Sequence, residues 1–289
     1  MALVLALSSQ VAYGHVGNSA MQFPLLRLGF QPIAVPTVLL SNRPDYPHTS
    51  RLDIPATSLA DLLTAIERNG WLSGVRAVIT GYMPNAEHVA VVADWISRLK
   101  ALNPLLLYLC DPIIGDDPGG RYISEVAAHA LRQTLLPLAD IATPNAYELC
   151  WLTGKPVRTA EEAALAAQAL GPETVLVTSA PADGHHRLAN ILVRDGEAWT
   201  ANVHRRDRVP HGTGDFLAAI FAARMMQGHS APEALALTTA SMDALVSASL
   251  GAEELALAAA QEVWADPLPW PIHALALAPC QPAAAPMTA

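Results

Sequence analysis

His211-Gly-Thr-Gly-Asp215 stands directly before a largely apolar stretch, 216–226, that reads as a helix. Two glycines at such a place let the backbone come close to an anion. The helix that follows turns its unpaired N–H groups and the positive end of its dipole toward the same point. Asp215 falls in the first turn. A carboxylate there either caps the helix or accepts a proton from an alcohol attacking a bound phosphate, and spacing leaves both open. The stretch is not the Gly-x-Gly-x-x-Gly of dinucleotide folds, because Leu217 holds the last position.

Outward from this point, short apolar runs alternate with helical stretches, the pattern of an α/β chain. Strands are expected over 3–7, 33–40, 75–80, 105–110, 141–142 and 174–178. Helices are expected over 57–68, 87–102, 122–135, 161–170, 213–226 and 232–249. Ser58 is expected to cap the first of these and Gly70 to close it. Runs 188–193 and 198–203 flank Asp195-Gly196, a hairpin signal. The expected fold is a mostly parallel central sheet with helices on both faces and an antiparallel hairpin at one edge. No repeat is visible.

The 289 residues carry 17 Lys plus Arg against 26 Asp plus Glu, a net charge of −9. Hydrophobic residues make up 52% and charged residues 15%, which excludes intrinsic disorder. The acidic balance, with no basic cluster, argues against a nucleic-acid partner, while backbone N–H groups can still hold phosphate locally. The densest apolar run, 216–223, lies between Asp215 and Arg224. It is far short of the roughly 20 residues a membrane span needs. Residues 1–7 lack a basic leader and read as a buried first strand. Cys110, Cys150 and Cys280 form neither a disulfide framework nor a zinc pattern, so a reducing cytoplasm is expected. Residues 1–271 read as one domain. Residues 272–289, rich in Pro and Ala, read as a mobile tail.

In a parallel sheet, ligands gather beyond the carboxyl ends of the strands. Those ends carry Ser8-Ser9, Thr80-Gly-Tyr82, Asp111, Thr143-Pro-Asn145, Thr178-Ser179 and Gly212–Asp215. Asp111 is either a site acid or a turn residue before Pro112. Glu148 is either a site acid or a solvated carboxylate at a helix start. His15 is either a substrate-flanking group or a loop histidine. His185-His186 read as solvated turn residues, Cys110 as a packed small hydrophobe and Trp95 as core.

Five ordered segments carry a resemblance. They are Ser9-Gln-Val-Ala-Tyr-Gly-His-Val-Gly-Asn-Ser-Ala20, Thr80-Gly-Tyr82, Cys110-Asp-Pro-Ile-Ile-Gly-Asp116, Thr143-Pro-Asn-Ala-Tyr-Glu148 and Gly212-Thr-Gly-Asp-Phe-Leu-Ala-Ala219. Val175-Leu-Val-Thr-Ser179 also fits. Over about residues 1–250 the chain resembles the pyridoxal kinases of the ribokinase superfamily.

That resemblance implies ATP-dependent phosphorylation of the 5′-hydroxymethyl group of pyridoxal. It implies Asp215 as the base and Gly212, Thr213 and Gly214 as the anion hole. Ser9 would bond the substrate ring, and Val16 and Tyr82 would pack on it. Asp111 and Glu148, the latter in an Asn145-x-x-Glu motif, would lie near magnesium and the phosphates. Thr178 and Ser179 would contact nucleotide, together with Thr213 and Gly214. Thr143 would lie near a monovalent cation such as potassium. A homodimer is implied as well.

Ser41-Asn-Arg-Pro-Asp-Tyr46 departs from the family, placing Pro44-Asp45 where this subgroup carries a Thr-Gln-like pair against substrate. Residues 203–209 loosely resemble the loop that covers ATP. The rival hydroxymethylpyrimidine phosphate kinases carry Cys after Gly-Thr-Gly, where this chain has Asp215. Sugar kinases of the superfamily insert a lid domain for which residues 8–50 leave no room. A non-catalytic vitamin-binding protein has no need of Asp215 with both glycines.

Overall fold

The computed structural model describes residues 1–182, 184 and 186–277. In chain order the elements are β1 (Leu3–Val11), α1 (Asn18–Arg27), β2 (Gln31–Leu40), β3 (Arg51–Asp53), α2 (Ala56–Arg68), β4 (Val75–Thr80) and α3 (Ala86–Leu102). Next come β5 (Leu107–Cys110), β6 (Gly115–Asp116), β7 (Gly120–Arg121), α4 (Glu125–Ala130), β8 (Ile141–Ala142), α5 (Ala146–Thr153), α6 (Ala160–Gln168) and β9 (Thr174–Pro181). The chain closes with β10 (Arg187–Arg194), β11 (Glu197–His204), α7 (Thr213–Met226), α8 (Ala231–Ala248), α9 (Gln261–Trp264) and β12 (His273–Ala274).

The alternation inside β1 sets the layers, because successive side chains of a strand face opposite ways. Val4 and Ala6 pack with Met21 and Leu25 of α1, Leu217 and Phe221 of α7, and Leu235 of α8. Leu5 and Leu7 pack with Leu59 and Leu63 of α2 and with Val92, Trp95 and Ile96 of α3. Both faces of the central strands are therefore buried. Such strands read as continuous apolar runs rather than alternating ones.

The main sheet runs β12-β11-β10-β9-β8-β5-β4-β1-β2-β3. From β2 through β1, β4, β5 and β8 to β9 all pairings are parallel. The hairpin β10–β11 extends β9 antiparallel, as the Asp195-Gly196 signal predicts. β3 pairs antiparallel with β2 at the other edge. The carboxyl ends of the parallel strands lie together, with the start of α7 beside them.

Several local expectations differ from the structure. α2 begins after Pro55, with no side-chain cap, so Ser58 lies inside the helix and does not cap it. The helix expected from 122 begins at Glu125, where Ser124 caps the Ala127 N–H. Its continuation, Leu131–Leu135, widens to a π turn ahead of Pro137, which has no N–H to donate. β9 runs past Thr178 through a bulge opposite Asn190. Of the expected tail, His273–Ala274 pairs with β11, and the Leu275 N–H reaches the Ala198 carbonyl at 2.8 Å. Residues 278–289, with Cys280, and also His185, lie outside the described residues. Among the described residues no helix is long and apolar enough to cross a membrane.

Candidate active site

Gly212 is the N-cap of α7 at φ +95°, and no side chain caps the helix. A Cβ at Gly212 would overlap the His15 carbonyl, so this position admits only glycine. At Gly214 nothing lies within 4 Å of where a Cβ would stand. The first turn of α7 therefore opens uncapped N–H groups beside free space, the requirement for an anion site.

Asp215 is the third residue of α7, so the capping alternative does not hold. It is 9% exposed, and its Oδ1 is buried with no hydrogen-bond partner. Burial pushes its carboxyl up to about 6, against the pull of the Gly17 N–H and its own N–H. An unpartnered buried acceptor is costly within a chain. Its lone pairs are left for a donor that the chain does not supply.

Asp111 directly follows β5 and accepts the Thr143 hydroxyl at 3.0 Å. Burial raises its carboxyl well above the ordinary range, and the charges of Glu148 and Asp215 raise it further. Those charge interactions place the three carboxylates in one neighbourhood. Glu148 is 3% exposed, not solvated. Its Oε1 accepts the Ile114 N–H at 2.8 Å, and its Oε2 accepts the Asn145 N–H at 2.9 Å. The Glu148 N–H in turn donates to the Asn145 Oδ1 at 2.9 Å, which completes a capping box at the start of α5. Burial raises the Glu148 carboxyl, and three backbone N–H groups partly offset it.

Thr178 is joined to this group through the Pro144 carbonyl, which its N–H reaches at 2.9 Å. Ser179 follows in the bulge at φ +53°, an uncommon conformation for a residue with a side chain. Thr143 sits behind Asp111, with its hydroxyl committed there.

On the other side of Asp215, Ser9 lies at a register shift in β1. A Cβ on Gly17 would overlap its carbonyl and hydroxyl. Val16 and Tyr82 pack together on Val11, Val38 and Leu40. The Tyr82 N–H reaches the Ser8 hydroxyl at 3.1 Å, and the Thr37 hydroxyl donates to the Tyr82 carbonyl at 2.7 Å. The motif residues thus fall into two groups, one about Ser9, Val16 and Tyr82 and one about Asp111, Glu148 and Thr178, with Asp215 linked to the first through Gly17 and to the second through Asp111.

His15 is half-exposed, and its backbone N–H donates to Glu254. His186 sits in an exposed turn at φ +66°. Cys110 and Trp95 are buried in the core, as expected.

Sequence reading missed Asn18, which is buried and donates to the Ser8 and Val35 carbonyls at 3.2 Å. It lies inside the Ser9–Ala20 segment, yet nothing local marks an asparagine as a strand-end brace. Glu254 was missed as well, because Glu253-Glu254 reads as a solvated pair.

Among the described residues no group of three or more His, Cys, Asp or Glu side chains could hold a metal ion. Asp111 and Glu148 offer two hard oxygen donors beside the open helix start. That pair suits a magnesium ion that keeps water and phosphate ligands.

Residues 41–256 match the family described as phosphomethylpyrimidine kinase. The chain is 36% identical over 274 residues to pyridoxal kinase PdxY of Corynebacterium diphtheriae, covering 91% of this chain and 96% of the relative. It is 37% identical over 239 residues to the pyridoxine/pyridoxal/pyridoxamine kinase of Bordetella avium, covering 80% of each. Pyridoxal kinase from Leishmania donovani, solved in complex with ADP and pyridoxamine, matches with a TM-score of 0.89 at 28% identity. That match covers 96% of this chain and 100% of the solved one.

Proposed function

This chain belongs to the phosphomethylpyrimidine kinase family and to the pyridoxal kinases, and from that premise we infer that it phosphorylates pyridoxal with ATP. The observation that carries the reading is Asp215, buried with its Oδ1 unpartnered in the first turn of an uncapped helix led by Gly212. The 5′-hydroxymethyl O–H donates its proton to Asp215. Its oxygen forms the new bond to the γ-phosphorus as the bond to the β–γ bridging oxygen breaks, and ADP leaves. The proton then passes from Asp215 to water.

Transfer of this kind needs mostly placement and neutralised charge. The N–H groups of Gly212, Thr213 and Gly214 face the transferring group. Ser9, Val16 and Tyr82 hold the ring. Thr178 and Ser179 lie toward the nucleotide. Asp111 and Glu148 would hold magnesium through water, and the ion would supply charge neutralisation of the triphosphate. A potassium-type ion near Thr143, a homodimer and a cytoplasmic location belong to the same reading. The buried Cys110 and the exposed Cys150, both free thiols, suit a reducing compartment.

The test is ADP release with magnesium and ATP, offering pyridoxal, pyridoxine, pyridoxamine and hydroxymethylpyrimidine in parallel. Turnover of pyridoxal well above the pyrimidine is expected. Turnover of the pyrimidine with pyridoxal silent would move the chain to the rival substrate, and silence with all four would sink the kinase reading.

A further inference from the structure

A charged cluster outside the groups named above meets the segment that carries Val16. Glu254, in the turn between α8 and α9, has a side chain only 13% exposed. Its Oε2 accepts the His15 backbone N–H at 2.9 Å. Its Oε1 accepts the Tyr46 hydroxyl at 2.9 Å and lies 3.1 Å from Arg43 Nη1. Arg43 is itself buried, donating also to the Glu253 carbonyl at 2.8 Å and to Asp45 at 3.0 Å. One carboxylate thus ties together three segments remote in sequence: 13–17, the loop 41–50 that carries Pro44-Asp45, and the turn 251–256.

Segment 13–17 lies between this cluster and the reacting groups. On one side, a Cβ at Gly14 would come within 2.8 Å of the Glu254 carboxylate. On the other, the His15 carbonyl fills the place where a Gly212 Cβ would stand. The Gly17 N–H faces the Asp215 carboxylate. The Tyr13 N–H still pairs with the Ser41 carbonyl at 2.9 Å, but residues 14–17 belong to no strand or helix between β1 and α1, so their placement depends on such tethers.

We propose that Glu254 is a positioning residue for phosphoryl transfer, holding segment 13–17 against Gly212 and Asp215 through the His15 N–H. The proposal rests on the kinase reading above. Three donors converge on one carboxylate. A glutamine there can meet only part of them, because its amide N–H₂ must face either the His15 N–H or the Arg43 and Tyr46 donors. Misplacement of about 1 Å at a distance from the chemistry can cost on the order of a hundredfold in rate.

The experiment is steady-state kinetics of wild type, Glu254→Gln and Tyr46→Phe with pyridoxal and magnesium–ATP, each variant checked by thermal unfolding. Wild-type turnover of pyridoxal comes first, since its absence defeats the kinase reading and not this proposal. Glu254→Gln is expected to lower kcat by about tenfold to a hundredfold, with KM for ATP within about twofold of wild type. Tyr46→Phe, which leaves the His15 bond in place, is expected to keep the wild-type kcat. A folded Glu254→Gln with wild-type kcat overturns the proposal. So does Tyr46→Phe falling as far as Glu254→Gln, or a rise in KM for ATP equal to the loss in kcat. Should Glu254→Gln not fold, Glu254→Asp keeps the charge for Arg43 but falls short of the His15 N–H, and the same split decides.

Discussion

In the role proposed above, Asp215 would combine two properties that pull apart. A base must be ionised, and burial opposes ionisation, so its carboxyl sits up at about 6. The charged form is the active one, so kcat/KM for pyridoxal is expected to fall about tenfold per pH unit below 6 and to level off above. A pH profile of kcat/KM that stays flat down to pH 5 would contradict this. Asp215→Asn keeps the shape and removes the base, and a loss in kcat of about 10²- to 10⁴-fold is expected. Full activity of that variant would remove Asp215 from the role. The sequence marks this residue well, since Gly-x-Gly before an apolar helix is a local pattern. It does not decide between cap and base. What removes the cap is Gly212 at the N-cap position, where the His15 carbonyl from the far end of the chain leaves no room for a Cβ.

At the scale of elements, the site is a set of strand ends and helix starts, each closed by its own local chemistry. Gly212→Ala would drive a Cβ into the His15 carbonyl at a φ that disfavours side chains. Both the helix start and segment 13–17 must then shift. Loss of one anion-hole donor costs about 10²- to 10³-fold in kcat, and a loss of that order is expected in single-turnover assays. Asn145 caps α5 and also donates to the Gly115 carbonyl at 2.8 Å. Asn145→Ala is expected to cost about 1–2 kcal/mol, read as a lower urea midpoint at unchanged slope. An unchanged midpoint would mean that the capping box is not holding α5.

Elements that stand out as dense apolar runs, helical stretches or turn signals were legible: the parallel strands, α3, α7, α8 and the hairpin at Asp195-Gly196. α1 was not, because Pro24 stands inside it and its apolar residues keep no clean stripe. β3 was not, because all three of its residues are exposed and polar groups flank its one leucine. The Arg43–Glu254 pair joins positions more than two hundred residues apart, and no local pattern reports such a contact.

For the whole molecule, three carboxylates meet at one place in a chain that already carries a net charge of −9. Asp111, Glu148 and Asp215 are all raised, by burial first, and Asp111 also by the charges of the other two. In the unfolded chain these groups lose their protons near 3.8, 4.5 and 3.8. The folded chain keeps them to higher pH and so binds more protons across that interval. Their stabilising contribution is then full below the unfolded values and is lost as pH rises through the folded ones, at about 6 for Asp215. Stability in the absence of magnesium and nucleotide is therefore expected to fall as pH rises from about 4 to about 7. Asp111→Asn removes one raised acid and lessens the repulsion on the other two. Its stability should decline less over the same interval, measured by urea unfolding at several pH values. Magnesium with ATP brings positive charge to the acids and, binding only the folded state, should raise wild-type stability most at the high end of that range. Equal pH slopes for wild type and Asp111→Asn would mean that the three carboxylates do not share one electrostatic site.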